Sequence, residues 1–227
     1  MSKNKFKQKK KENAGEFSSW LKHARLVQKT EEGMVVPCGT CNACCRSSYF
    51  IHIGAEESKT LSVIPNKLKF PAPGLPKGNV LLGYDENGHC PMFVENQCSI
   101  YDYRPKICRI YDCRVFSATG LSDDDSEKAS IVQQAKQWEF SYPNENDQKE
   151  FEAVQAATKF LMNHCDCFPD NFIPKNTTQQ AVLAIKVYKV FLNLSNEHEN
   201  ADHADGYLKI AKVVMKAFEE FERGSHD

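Results

Sequence analysis

A chain of 227 residues, 41% of them hydrophobic, can bury one substantial core and still carry a smaller module beside it. A formal charge of −1 provides no global field for nucleic acid or an anionic membrane surface, and no stretch approaches the ~20 apolar residues of a membrane span. The amino terminus lacks the apolar run of a secretory signal, so the expected location is the cytoplasm, where ten cysteines have little use as lasting disulfides.

In chain order, residues 1–14 alternate lysine with polar residues around Phe6 and predict a disordered basic tail. Phe17, Trp20, Leu21, Ala24 and Val27 then recur at helical spacing, predicting an amphipathic helix over 15–30. Over 37–120 short apolar runs are punctuated by proline, glycine and asparagine, the texture of a loop-rich module. Strands are expected over 49–53 and 80–83, and Glu95 and Asn96 form a turn that would fold 90–98 into a small hairpin. Pro65, Pro71, Pro73 and Pro76 argue against a regular helix or central strand over 61–78, leaving an irregular covering loop.

Beyond residue 121 the pattern is helical, with helices expected over 127–140, 148–164, 178–194 and 206–223. Leu183, Val187, Val190, Phe191 and Leu194 line one face, and Tyr207, Ile210, Ala211, Val214, Phe218 and Phe221 line another, so the last two helices should bury each other. The predicted class is α+β: a small cysteine-rich module with short strands over 37–120, packed against a mainly helical region over 121–227.

The chemistry concentrates in eight of the ten cysteines. Cys38, Cys41, Cys44 and Cys45 form a C-x2-C-x2-C-C block, whose two-residue gaps let successive thiolates curl around one centre. Cys90, Cys98, Cys108 and Cys113 follow at wider spacing and would be brought in by the fold. Eight ligands exceed one mononuclear site; they suit two tetrahedral sites, or one iron-sulfur cluster with additional thiols. Soft thiolates select iron-sulfur, zinc or copper(I) over magnesium or calcium. The run of three favours iron-sulfur over zinc, whose modules more often use separated C-x2-C pairs. Adjacent Cys44 and Cys45 point different ways on most backbones, which assigns them to different centres or roles.

Arg46, Arg104, Arg109 and Arg114 lie close to these cysteines in sequence and could neutralise a negatively charged thiolate shell or donate to its sulfurs. Pro105 should hold Arg104 extended and open a helical turn carrying Cys108. His52 and His89 read as ordinary hydrogen-bonded residues, with His89 the better substitute ligand. Cys165 and Cys167 read as packing at a helix end.

The block 38–45 followed by Cys98-Ser-Ile100-Tyr101-Asp-Tyr-Arg104-Pro105-Lys-Ile-Cys108-Arg resembles the YkgJ-type cysteine-cluster family, whose C-x-I-Y-x-x-R-P-x-x-C-R segment follows a CxxCxxCC block. The resemblance runs roughly over 37–120 and implies a zinc or iron ligand set without implying a reaction. A similar domain accompanies flagellin lysine methylases, which implies that an enzymatic setting is open to the family.

Two functional classes follow: a metal-binding protein whose centre is structural or redox-active, its helices offering a surface for a protein partner, or an iron-sulfur enzyme or enzyme component. Absence of a basic helix or aromatic platform argues against nucleic acid.

Overall fold

The computed structural model describes residues 11–30, 32–38, 40–122, 129–194 and 204–224. Residues 1–10 of the expected basic tail lie outside them. The order is β1 (Glu12–Glu16), α1 (Phe17–Val27), β2 (Ile51–Ile53), α2 (Ser58–Val63), β3 (Lys69–Pro71), β4 (Val80–Leu82), β5 (Phe93–Val94) and β6 (Gln97–Cys98). Then come α3 (Lys106–Ile110), α4 (Arg114–Thr119), α5 (Ala129–Ala135), β7 (Trp138–Ser141), α6 (Glu145–Asn163), α7 (Thr177–Leu194) and α8 (Ala204–Arg223). The class is α+β, with its carboxy-terminal region helical.

Two apolar cores organise the chain. The larger gathers α1, α4, α6, α7 and α8 around Phe17, Leu21, Val154, Leu161, Val187 and Val214, all with at most 1% of their surface exposed. Helix α1 enters it through Phe17, Trp20, Leu21, Ala24 and Val27, a stripe one helix face wide. Its amino-terminal end is held from α6, where Asp147 Oδ1 accepts the Ser18 N–H at 2.7 Å; a carboxylate there also complements the positive end of the helix dipole. Helix α6 starts where Asn144 Oδ1 accepts the N–H groups of Asn146 and Asp147. Arg25 donates to the carbonyls of Ile185 and Lys186, tying α1 to α7.

The smaller core consists of Ile53, Ile64, Leu82 and Ile100 under the three-stranded antiparallel sheet β2-β4-β3. The 90–98 segment forms the hairpin β5–β6, turning through Glu95 and Asn96, both at positive φ. Two consecutive left-handed residues give the turn a twist that matches its strands.

Three expectations are corrected. Residues 12–14 do not belong to a disordered tail: β1 pairs parallel with β7, and Ala14 is buried. The helix expected over 127–140 stops at Ala135, because Trp138 and Phe140 alternate with exposed Glu139 and Ser141, the period of a strand. The Phe140 ring meets α1, 5.1 Å from Phe17 and 4.9 Å from Trp20. The loop over 61–78 includes strand β3, which accommodates Pro71 because it is an edge strand.

Helix α4 ends at Gly120, whose φ of 72° lets its N–H reach back to the Phe116 carbonyl. A Cβ there would adopt the left-handed region and approach the Gln155 amide oxygen to 3.1 Å. Gly120→Ala is expected to cost about 1 kcal/mol, read from the urea midpoint; an unchanged or raised midpoint would contradict this account of the helix end.

Candidate metal centre

The C-x2-C-x2-C-C block lies on a tight path. The Cys41 N–H donates to the Cys38 carbonyl at 2.8 Å, and a single 3-10 turn over Ala43–Arg46 carries Cys44 and Cys45. Ala43 is buried at the inner side of this turn. The second block approaches from three directions. The Cys90 N–H donates to the Cys45 carbonyl at 2.8 Å, the β5–β6 hairpin returns the chain to Cys98, and α3 carries Cys108. Arg104 is extended before Pro105, which stands at the amino-terminal boundary of α3. Cys113 lies at the start of α4, buried in the larger core.

All ten cysteines are free thiols. Burial pushes Cys38 up to about 11, with the Cys41 thiol and Asp112 adding to the rise and Arg114 opposing it. Cys44 keeps an exposed outer surface, yet the protein packed around its thiol raises it well above the ordinary range, with Cys113 and Cys38 as its foremost thiol neighbours. Cys113 is pushed up to about 12 by burial, against a hydrogen bond from the Trp138 indole N–H to its Sγ at 3.1 Å.

Cys45, also pushed up to about 12 by burial, has Cys90 and Cys98 as its foremost thiol neighbours. Burial raises Cys108 too, beside Cys90, Cys45 and Cys98. Cys90 is raised by burial, while the Met92 backbone N–H donates to its sulfur and Cys98 stands nearby. Such an N–H···S contact would stabilise a thiolate once a metal had displaced its proton.

Each of the eight thiols thus has at least one other of the eight near it. Among the described residues no three His, Cys, Asp or Glu side chains are gathered tightly enough to hold a metal ion as they stand.

The arginines differ in their commitments. Arg114 is buried and fully engaged: Nε donates to both Asp112 carboxylate oxygens at 3.0 Å, Nη1 to the Ala14 carbonyl and Nη2 to the Val35 carbonyl, each at 3.0 Å. It acts on Cys38 through its charge while its donors go elsewhere. Arg104 lies over the Tyr101 ring at 4.0 Å, donates to the Tyr101 carbonyl, and lowers Cys108 through its charge. Arg109 Nη1 donates to the Arg104 carbonyl at 2.6 Å. Arg46 stands exposed at the end of the 3-10 turn. His52 Nε2 meets Asn79 Oδ1 at 2.9 Å, and His89 lies edge-on to Phe93. Cys165 and Cys167 occupy a 3-10 turn after α6, with Cys167 packed against the larger core.

Three residues that the sequence pattern did not single out border the cluster. Trp138 caps Cys113. Asp112 receives the Trp20 indole N–H at 2.8 Å as well as Arg114. Tyr111 lies beside Cys44, its hydroxyl raised far above its ordinary range first by burial. A cleft of about 440 Å³ opens next to it, lined by Trp20, Met34, Ile107, Tyr111, Asp112 and Leu183 among others. No helix among the described residues is long and apolar enough to cross a membrane.

Neither a curated protein nor a solved structure matches the chain. Residues 37–146 match the model of the CxxCxxCC family, which bears the description "Putative zinc- or iron-chelating domain".

Proposed function

We propose, on the premise that residues 37–146 of this chain belong to the CxxCxxCC family, that the protein binds a transition-metal centre through Cys38, Cys41, Cys44, Cys45, Cys90, Cys98, Cys108 and Cys113, in a structural or redox role in the cytoplasm. The observation that carries this reading is the return of the second cysteine block to the first, with the Cys90 N–H on the Cys45 carbonyl and the β5–β6 hairpin bringing Cys98 back beside it, while burial raises most of these thiols. A set of neighbouring, partly buried thiols is a soft, multidentate ligand. Arg104 and Arg114 supply positive charge beside Cys108 and Cys38, which offsets the negative charge of a thiolate shell.

Iron-sulfur is favoured over zinc. Cys38, Cys41 and Cys44 have the spacing of three successive ligands of a ferredoxin-type cluster, with a fourth cysteine supplied from a distance. Such a cluster, when bound, would supply one-electron chemistry, whereas zinc, with its filled d shell, would supply none. Protein purified without oxygen is expected to be brown and to contain iron with acid-labile sulfide. Cys41→Ser should bleach it, since an alcohol is a hard, poor substitute for a thiolate. Colourless protein with stoichiometric zinc and no sulfide would overturn the iron-sulfur assignment. Protein that holds neither metal and takes up neither would overturn the chelating reading.

A further inference from the structure

We propose that the eight thiols make two separate four-thiol centres, Cys38, Cys41, Cys44 and Cys113 on the larger core and Cys45, Cys90, Cys98 and Cys108 on the smaller, each taking one thiophilic metal ion or cluster. The inference rests on the chelating reading above and adds the number of centres and the division of their ligands.

The two cores make the first argument. Cys113 belongs to the larger core and Cys41 packs against it, whereas Cys90 and Cys98 pack against the smaller core. Four thiols are thus anchored on two different hydrophobic bodies. The backbone adds a fifth: Cys45 is joined to Cys90 by a 2.8 Å hydrogen bond and so stands at the smaller core's edge. The Phe93 N–H donates to the Cys90 carbonyl, and Phe93 pairs with Cys98, so Cys90 and Cys98 flank one hairpin. Cys41 is likewise bonded through its N–H to the Cys38 carbonyl.

The remaining two thiols follow their neighbours. Cys44 follows Ala43, which is buried in the larger core, and Cys108 lies on α3, which packs against β2 over the smaller core. Influence across the boundary exists, between Cys44 and Cys45 and between Cys45 and Cys41, but Cys44 feels Cys113 and Cys38 more than Cys45, and Cys45 feels Cys90 and Cys98 more than Cys41. The 3-10 turn over Ala43–Arg46 explains the split: consecutive residues on a turn of about three residues project roughly 120° apart, so Cys44 and Cys45 face different bodies. Four thiolates complete a tetrahedral zinc or cobalt site, and they equally complete the ligand set of one iron-sulfur cluster.

The test uses the full-length chain, reduced, freed of metal and titrated with cobalt(II) without oxygen, reading the visible bands of tetrahedral cobalt. The parent protein should take up two equivalents. Cys44→Ser/Cys113→Ser removes two ligands of one set and should still take up one equivalent. Cys45→Ser/Cys98→Ser, the mirror variant, should also retain one. Cys44→Ser/Cys98→Ser, which damages both sets, should lose both tetrahedral signals. Far-ultraviolet circular dichroism of α6, α7 and α8 identifies any variant that has lost its fold, and the two same-set variants place the serines on different cores, so each checks the other. A parent that saturates at one equivalent, or a folded same-set variant that loses both signals, would overturn the division into two centres while leaving metal chelation standing. A parent that takes up no cobalt would overturn chelation itself, and the division with it.

Discussion

Stripping the metal from the intact chain is expected to release amide protection across β2, β4 and the β5–β6 hairpin while leaving α6 and α7 protected. The two lobes differ in what they bury. Around the hairpin and its sheet the buried apolar cluster among the described residues comprises just Ile53, Ile64, Leu82 and Ile100, and the strands are two or three residues long. A body that small does not bury enough surface to offset the entropy of ordering its loops, the situation in which natural domains recruit a metal. Val154, Ala157, Leu161, Ala184 and Val187, by contrast, lie in the larger core with no exposed surface.

A metal present at about 1,000 times its dissociation constant stabilises the bound form by roughly 4 kcal/mol. Chelation should therefore lower protection at Phe93, Val94 and Cys98 by about a thousandfold. Hydrogen exchange with and without chelator measures this, and equal change in both lobes would refute a metal-dependent smaller lobe.

Replacing Arg114 with alanine should destabilise the protein by about 3–5 kcal/mol even when metal is saturating. The guanidinium is buried against the Asp112 carboxylate, with Nη2 2.8 Å from Oδ2, and its remaining donors hold the carbonyls of Ala14 on β1 and Val35 ahead of the cysteine block. Removal leaves a buried carboxylate with the Trp20 indole as a side-chain donor and strands two carbonyls. Lysine cannot substitute, because an ammonium group does not reproduce the planar fork that serves all three partners. Denaturant midpoints of Arg114→Ala and Arg114→Lys read the effect; a loss under about 1 kcal/mol for either would show that the clamp matters less than its burial implies.

The candidate site was visible as a cysteine pattern because close spacing in sequence is close spacing in space, and the turn at Glu95 and Asn96 has a local cause. Helix α1 was legible for a related reason: five apolar residues at helical spacing admit few other readings. What escaped the sequence was non-local. Strand β1 has a small apolar inventory of its own and exists because Glu12 finds Trp138 as a partner. Strand β7 alternates over only four residues, too few for a period of two to stand out beside an adjoining helix. Arg114 read as a charge for sulfur because Cys113 precedes it, whereas three of its four partners, Ala14, Val35 and the Cys38 whose thiol it lowers, come from distant sequence. Tyr111 and Asp112 escaped notice because their significance lies in what packs around them.

The hydrogen bond from Trp138 to Cys113 spans 25 residues, and this gives the order of synthesis a meaning. As the chain leaves the ribosome all eight thiols have been made by residue 113, while the indole that covers Cys113, the strand that Trp138 begins and helices α6 to α8 have yet to follow. Strand β1, made earliest, waits longest for its mate. Vectorial growth thus leaves Cys113 an interval of accessibility before the larger core encloses it. Dilution from denaturant provides no such interval, since core and thiols then compete from the same instant, and Cys113 can be buried before any ligand shell has formed.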